Sequence, residues 1–196
     1  MSKEKKKIEK SDLIPSNVYA DTRKKIRKEL VHFKKDRRIA LGPYATFYFE
    51  SFETMLAQVQ EMLYIEKGGD EQLKDELIAY NPLVPNGKEL TATLMFEIDN
   101  PVSRAAFLAK VGGIEDKVFM KIEGEKIKAE PEKDVDRTSS EGKASSVQFI
   151  HFKFTDKQIE KFKNNSEIEI GIDQSEYSHM TKLADTTIKS LSADFS

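Results

Sequence analysis

The stretch SVQFIHFKF (Ser146–Phe154) decides the fold, because it is the strongest β-strand pattern in the chain. Alternation places Val147, Phe149 and His151 on one side of the strand and Ile150 and its apolar neighbours on the other. Both faces should therefore be covered. We expect His151 to be a core histidine whose ring nitrogens are hydrogen-bonded.

Strands and short helices alternate on both sides of this stretch. The sequence Thr155-Asp156-Lys157-Gln158 matches a capping box and predicts a helix to about Lys163. Asn100-Pro101 is a suitable cap and first-turn pair for another helix, which should run to Val111. The remaining elements predicted after residue 88 are strands at Leu90–Ile98 and Ile168–Ile172, a hairpin of Lys117–Ile122 with Lys126–Glu130, a long polar loop at 131–145, and a weak helix from Leu183.

The first 80 residues are mainly helical in pattern. An amphipathic helix with a basic outer side is predicted from Asn17, and Ser51 can cap a second helix that ends near Glu66. Between them, Arg37–Leu41 and Ala45–Glu50 predict a short hairpin, and a third helix should cover Asp70–Tyr80.

The predicted fold class is α+β, with a helical N-terminal part packed on a mixed or mainly antiparallel sheet that carries short inserted helices. Residues 1–11 are expected to be a mobile basic tail. Residues 12–196 are expected to form a single domain, mainly helical with a short hairpin over 12–80 and sheet-rich over 88–196.

Composition excludes several classes of function. The chain has no cysteine, so it cannot form disulfides, a thiolate nucleophile, a zinc ribbon or a protein-held iron–sulfur cluster. Gly-x-Gly-x-x-Gly, Walker-type, Gly-x-Ser-x-Gly and His-Glu-x-x-His motifs are also absent. We expect a protein without a resident cofactor, a binding protein rather than an enzyme, located in the cytoplasm and not in a membrane.

The net charge of −2 conceals two oppositely charged parts. Residues 1–38 hold 14 Lys or Arg and 6 Asp or Glu, a net charge of +8, and the remainder carries −10. The basic part could meet an acidic partner or nucleic acid, or be a solvated helix on its own acidic body. Nucleic acid is disfavoured, because the basic helix lacks interleaved aromatic residues on its exposed side.

The second helix carries the first group of candidate site residues. Gln58, Gln60 and Glu61 lie among apolar neighbours, and a buried polar group without a partner costs on the order of 1–3 kcal/mol. These side chains either form a structural polar network or line a ligand site. The other candidates for that ligand site are Arg37, Arg38 and Glu50 on the hairpin, Asn81, His151, and the loop residues Arg137 and Lys143, whose donors suit an anion.

A metal site is a weaker possibility near the C-terminus. Asp173, Glu176 and His179 supply oxygen and imidazole ligands within a segment expected to be a loop, although such spacings often arise by chance.

Several short motifs together resemble a known family. They are RRIALGP (37–43), QVQEML (58–63), AYNPL (79–83) with PNG (85–87), RT (137–138), GK (142–143) and GID (171–173). They are similar to a bacterial family known only as a domain of unknown function, numbered thirty-five hundred and one. The likeness covers nearly the whole chain from Asp12. Members are often encoded beside a rubrerythrin-like protein and an iron–sulfur oxidoreductase, which implies an accessory role in a redox system.

Three functions remain open from the sequence. The first is an accessory or binding protein that docks on a redox partner through the basic helix or the acidic sheet-bearing part. The second is a small-molecule binding protein or enzyme with a pocket lined by Arg, Gln and Glu. The third is nucleic-acid binding through the basic helix. The pattern does not indicate an oligomeric state.

Overall fold

The computed structural model describes residues 5–132 and 138–195. The six helices of this part are α1 (Ser16–Lys35), α2 (Phe52–Glu66), α3 (Gly69–Tyr80), α4 (Pro101–Lys110), α5 (Asp156–Asn164) and α6 (Asp185–Ser192). Its strands are β1 (Arg38–Leu41), β2 (Ala45–Phe49), β3 (Glu89–Phe96), β4 (Val118–Ile122), β5 (Glu125–Lys128), β6 (Glu130–Pro131), β7 (Val147–Lys153), β8 (Ile168–Gln174) and β9 (Tyr177–Lys182).

The strands form two antiparallel sheets. A five-stranded sheet has the order β1-β2-β3-β7-β6, and a four-stranded sheet has the order β5-β4-β8-β9. The predicted α+β class is confirmed. The predicted strand at Ser146–Phe154 is β7, which pairs with β3 and β6 inside the larger sheet.

The largest hydrophobic core contains one face of each sheet. Phe47 and Phe49 of β2 and Ile150 and Phe152 of β7 are at most 1% exposed, and they belong to one cluster with Ile170 of β8. Alternation along β7 follows the prediction, because its even-numbered residues from Gln148 to Phe152 are buried and the odd-numbered ones are only partly covered. This periodicity is what a strand between two layers requires.

The helices α2 and α3 cover the outer face of the five-stranded sheet. Met55 and Val59 of α2 and Leu73 of α3 form a second buried cluster, against which Phe149 of β7 packs. Ser51 caps α2 through a capping box with Thr54, as the pattern predicted for the start of this helix. The result is a helical layer, a five-stranded sheet and a four-stranded sheet in that order.

Three sequence-based expectations need correction. The expected mobile tail over 1–11 is wrong at Ile8, which is fully buried against α2 and α3, while residues 1–4 lie outside the described part. The segment expected to be a loop after β8 forms β9, whose side chains from Ser178 to Lys182 are mostly exposed. The polar loop at 131–145 also packs in part, since Ala144 is buried and donates its backbone N–H to Leu108 O.

Within residues 5–132 and 138–195, no helix is long and apolar enough to span a bilayer.

Candidate functional site

Two of the predicted ligand-binding amides instead hold the N-terminal segment of the chain. Asn81 accepts from Ile8 N at 2.7 Å and donates to Ile8 O at 3.2 Å. Gln60 accepts from Ile14 N at 2.9 Å and donates to Ile14 O at 3.1 Å. Each carboxamide thus pairs with both the N–H and the C=O of one residue, as a neighbouring strand would. We call residues 5–15 the N-terminal strap, which is fastened to the helical layer at these two points.

Glu61 joins α1 to α2 beside the strap. Its carboxylate accepts from Tyr19 Oη at 2.7 Å and from Arg23 Nε at 3.0 Å, and it forms an ion pair with the same guanidinium. The hydrogen bonds from Arg23 hold the pKa of Glu61 at about 2. Burial and the hydrogen bond to Glu61 raise the pKa of Tyr19 to about 12. This network fastens the first half of α1.

Arg37 anchors the opposite end of α1 and is only 1% exposed. Its guanidinium donates to Phe49 O at 3.1 Å and to Glu50 O at 2.6 Å, and it forms an ion pair with Asp194 after α6. The guanidinium N–H groups of Arg37, which were proposed from the sequence to bind a ligand, therefore donate to other parts of the protein. Arg37 is therefore a structural tie between the β1–β2 hairpin and the C-terminus.

The remaining hairpin and α2 candidates have separate partners. Glu50 accepts from Thr54 Oγ1 at 2.6 Å and from Thr93 Oγ1 at 2.7 Å, and is 6% exposed. Arg38 lies 3.5 Å from Glu97 on the outer face of the sheet. Gln58 donates to Tyr80 Oη at 3.4 Å. The predicted residues do not converge on one pocket, because alternation along the hairpin and rotation along α2 send their side chains to different layers.

His151 lies on the outer face of the five-stranded sheet, away from α1. Its Nδ1 is 3.3 Å from Glu89 Oε2 and its Nε2 is 2.9 Å from Glu132 Oε2, so both ring nitrogens have partners, as expected for a satisfied histidine. Burial lowers the pKa of His151, but the hydrogen bonds to Glu89 and Glu132 outweigh it and leave that pKa raised. The side chain is 12% exposed.

The three metal candidates are also dispersed. Asp173 is directly opposite Ser178 in the β8–β9 pair, and His179 is opposite Ile172, so the two candidates point to opposite faces of the sheet. Asp173 pairs with Lys126 at 3.2 Å. His179 packs on Gly42, where an added Cβ would lie 2.5 Å from the imidazole. Glu176 is exposed in the intervening turn, and no cluster of three potential ligands occurs among the described residues.

The predicted anion-binding loop is only partly described. Arg137 lies outside the described residues. Lys143 is exposed in a turn in which its backbone N–H donates to Ser139 Oγ at 3.2 Å. Next to this turn, Thr138 donates to Glu115 Oε1 at 2.7 Å and accepts from Gly113 N at 3.0 Å.

A cavity lies between α1 and α2, beneath the middle of α1. Its volume is about 600 Å³. Apolar side chains from the strap and both helices line it, together with Tyr19, Gln60 and three carboxylates. The full lining is Asp12, Ile14, Tyr19, Ile26, Glu29, Leu30, Phe33, Glu53, Leu56, Ala57 and Gln60.

Of the residues proposed from sequence that the structure describes, only Gln60 lines this cavity. On α1 the lining includes the apolar positions Ile26, Leu30 and Phe33, which the periodicity assigned to the apolar side of the helix. Ile26, Leu30 and Phe33 are only partly buried, so the apolar side of α1 exists as predicted but is not fully covered by other parts of the protein. Amphipathicity identifies such a face, whereas the gap beneath it depends on how far α1 stands from α2.

Comparison with known proteins gives a family and a fold without a function. The model of the family described as "Protein of unknown function (DUF3501)" matches residues 7–195. A crystal structure of a protein of unknown function from Burkholderia pseudomallei is similar, with a TM-score of 0.90 and 33% identity over 96% of this chain and 99% of that one. No curated protein gives a significant match.

Proposed function

The chain belongs to the DUF3501 family of proteins of unknown function, and we propose that it is a binding protein whose cavity between α1 and α2 holds a small, largely apolar molecule. The observation that carries this proposal is the cavity itself. A volume of about 600 Å³ lies within the range of roughly 300–1,000 Å³ that is usual for small-molecule sites.

The burial of α1 supports a ligand in this position. Tyr19 is the only residue of this 20-residue helix that is buried, although its apolar stripe continues through Ile26, Leu30 and Phe33. Protein interiors are close-packed, and an unfilled apolar gap loses dispersion contacts on the walls that face it. A bound apolar molecule would restore those contacts without moving either helix.

Both ends of α1 are held in a way that preserves the gap. Glu61 ties Tyr19 and Arg23 at one end, and Arg37 ties the hairpin to Asp194 at the other. Between these anchors, residues 24–32 of α1 contain no buried side chain. The helix therefore bridges the cavity as a cover fastened at its two ends.

The lining favours binding over catalysis. The Tyr19 hydroxyl donates to Glu61, and both polar groups of the Gln60 amide bond to Ile14. The described lining residues include no histidine, serine or lysine, so the carboxylates of Asp12, Glu29 and Glu53 are the only described lining groups that could act as a base near neutral pH.

A neutral apolar fluorophore tests this proposal directly. N-phenyl-1-naphthylamine should bind the native protein saturably and with enhanced emission. Ala57→Trp places an indole inside the cavity and should weaken binding by about tenfold or more. Ala79→Trp, at an exposed position of α3, is the matched control and should bind as the native protein does. Equal binding by both folded variants would refute the site.

A second function, docking on a redox protein, is favoured by the outer side of α1. Lys24, Lys25, Arg27 and Lys28 are exposed there, in the part of the chain that carries the +8 charge. Such a surface would attract an acidic partner and would be screened by salt. The family resemblance supplies the class of partner, a rubrerythrin-like protein or an iron–sulfur oxidoreductase.

Affinity capture with salt titration tests this second function. The native protein should retain an identified redox protein at low ionic strength and release it as salt increases. A variant with K24E, R27E and K28E should lose that retention. The proposal fails if no redox protein is retained at low salt, or if the charge-reversed variant retains it equally well.

A further inference from the structure

The charged side chains that line the cavity between α1 and α2 in the described part of the chain are all negative. Asp12, Glu29 and Glu53 contribute carboxylates to its lining, and the described lining residues include no lysine, arginine or histidine. This is the opposite of the outer side of α1, where the exposed side chains are mainly basic. The two sides of the helix therefore differ in the charge they would select.

The carboxylates are distributed unequally along the cavity. Helices α1 and α2 are antiparallel, because Tyr19 meets Glu61 while the residue after α1, Asp36, leads directly to Arg37 beside Glu50. Glu29 and Glu53 accordingly belong to the end where α1 finishes and α2 begins. Asp12 belongs to the opposite end, near Ile14 and Gln60.

Asp12 is already occupied by the protein. It forms an ion pair with Lys5, and its other oxygen accepts from Glu9 N at 2.9 Å. Glu29 has a weaker partner, Lys25 at 4.0 Å on its own helix, and both side chains are largely exposed. Exposed pairs of this kind contribute little and exchange readily. Glu29 and Glu53 are thus the carboxylates best placed to meet a ligand.

We propose that the cavity selects a cationic amphiphile, an aliphatic or aromatic body bearing an amine or quaternary ammonium group. This inference rests on the proposed function and specifies its ligand class. The apolar body would lie against Ile26, Leu30 and Leu56, and the cation would lie at the end of the cavity formed by Glu29 and Glu53. Charge complementarity is the reason for this choice, since an anion placed there would be repelled by both carboxylates.

Competition among three molecules that share one alkyl chain tests the ligand class. Decylamine, decanol and decanoate are each titrated against N-phenyl-1-naphthylamine bound to the native protein, and decylamine is protonated at neutral pH as a lysine side chain is. Decylamine should bind about tenfold or more tightly than decanol, and decanoate should bind more weakly than either. Screening makes the amine preference decrease as salt rises.

Variants assign the preference to the two carboxylates. Glu53→Gln, and the double variant E29Q/E53Q, should reduce the amine-to-alcohol affinity ratio toward one by weakening the binding of decylamine. Glu71→Gln, on the exposed surface of α3, is the matched control and should retain the full ratio. Thermal unfolding of each variant confirms that it is folded before binding is compared.

The outcomes separate this inference from the proposed function. If decanol and decanoate bind as tightly as decylamine, or if E29Q/E53Q keeps the amine preference, the ligand class is wrong and the apolar site still stands. If none of the three displaces a fluorophore that binds the native protein, the ligand class is wrong and the apolar site still stands. If the fluorophore itself fails to bind the folded native protein, the site and the inference both fail.

Discussion

Ile8→Ala should destabilise the protein although the residue lies only eight positions from the N-terminus. Ile8 is fully buried with Met55, Val59 and Leu73, and its backbone is paired with Asn81. Truncating a buried isoleucine costs about 2–5 kcal/mol through lost transfer free energy and the cavity left behind. The N-terminal strap can detach locally without unfolding the rest of the protein, and this limits the loss in the free energy of unfolding. We therefore expect a loss of about 2–3 kcal/mol.

Urea unfolding followed by far-ultraviolet circular dichroism measures this loss. With a slope of roughly 2–3 kcal/mol per molar urea, the midpoint should fall by about 1 M. Ile78→Ala is the matched control, because Ile78 is 74% exposed on α3 and should change stability by less than about 0.5 kcal/mol. If Ile8→Ala shifts the midpoint no more than Ile78→Ala, the strap is not docked and the reasoning is refuted.

Three further predictions concern the groups that fix α1 and the sheet. Glu61 has a depressed pKa of about 2, so the stability that it contributes is present above pH ~4.5 and is lost as pH falls toward 2. Its side chain is 23% exposed, so solvent screening reduces the contribution, and Glu61→Gln should remove about 1–2 kcal/mol of this acid-sensitive stability. Chemical denaturation at a series of pH values measures this loss. Arg37→Met should lower the free energy of unfolding by about 3–5 kcal/mol, because it leaves the carboxylate of Asp194 unpaired. Arg38→Met, at an exposed site, should lower it by less than about 1 kcal/mol in the same assay. Equal losses would contradict a stabilising role for the buried Arg37–Asp194 ion pair. His151 has a raised pKa, so its contribution to stability is fully present below pH ~6.5 and is lost as pH rises through the folded-state pKa. His151→Gln should therefore flatten the fall in stability above pH ~6.5, and an unchanged slope would contradict this.

Local patterns predicted the elements whose determinants lie close together in sequence. The predicted cap at Ser51 and the predicted capping box at Thr155 begin α2 and α5 as expected, because cap and partner are three residues apart. Alternation from Val147 to Lys153 likewise gave the correct faces of β7. These elements depend on backbone geometry that a short window of sequence specifies.

The misjudged elements depend on contacts between distant residues. Ile8 is a lone apolar residue among charges, so no periodicity reveals that it fills a gap beside residues 55–73. The strand β9 carries polar, mostly exposed side chains and is held by its pairing with β8 and by Tyr177, whose hydroxyl accepts from Ala45 N at 2.9 Å. A one-sided edge strand of this kind resembles a loop in composition.

The candidate site was least predictable. Polar residues among apolar neighbours on α2 correctly indicated that they need partners, yet the partner of Gln60 is the backbone of Ile14, 46 residues away. A hydrogen bond to the backbone does not depend on the side chain of the partner residue, so the sequence does not reveal which residue the partner is. The cavity is formed by Leu30, Phe33 and Leu56, whose spacing is that of any core-facing helix.

A crystal structure of the native protein grown with N-phenyl-1-naphthylamine would test the central claim most directly. We predict electron density for the naphthyl group between α1 and α2, in contact with Leu30 and Leu56, with Glu61 and Arg37 still holding the two ends of α1. Density for the probe at another place on the protein, or a closed gap with Leu30 and Phe33 packed directly on Leu56, would contradict it.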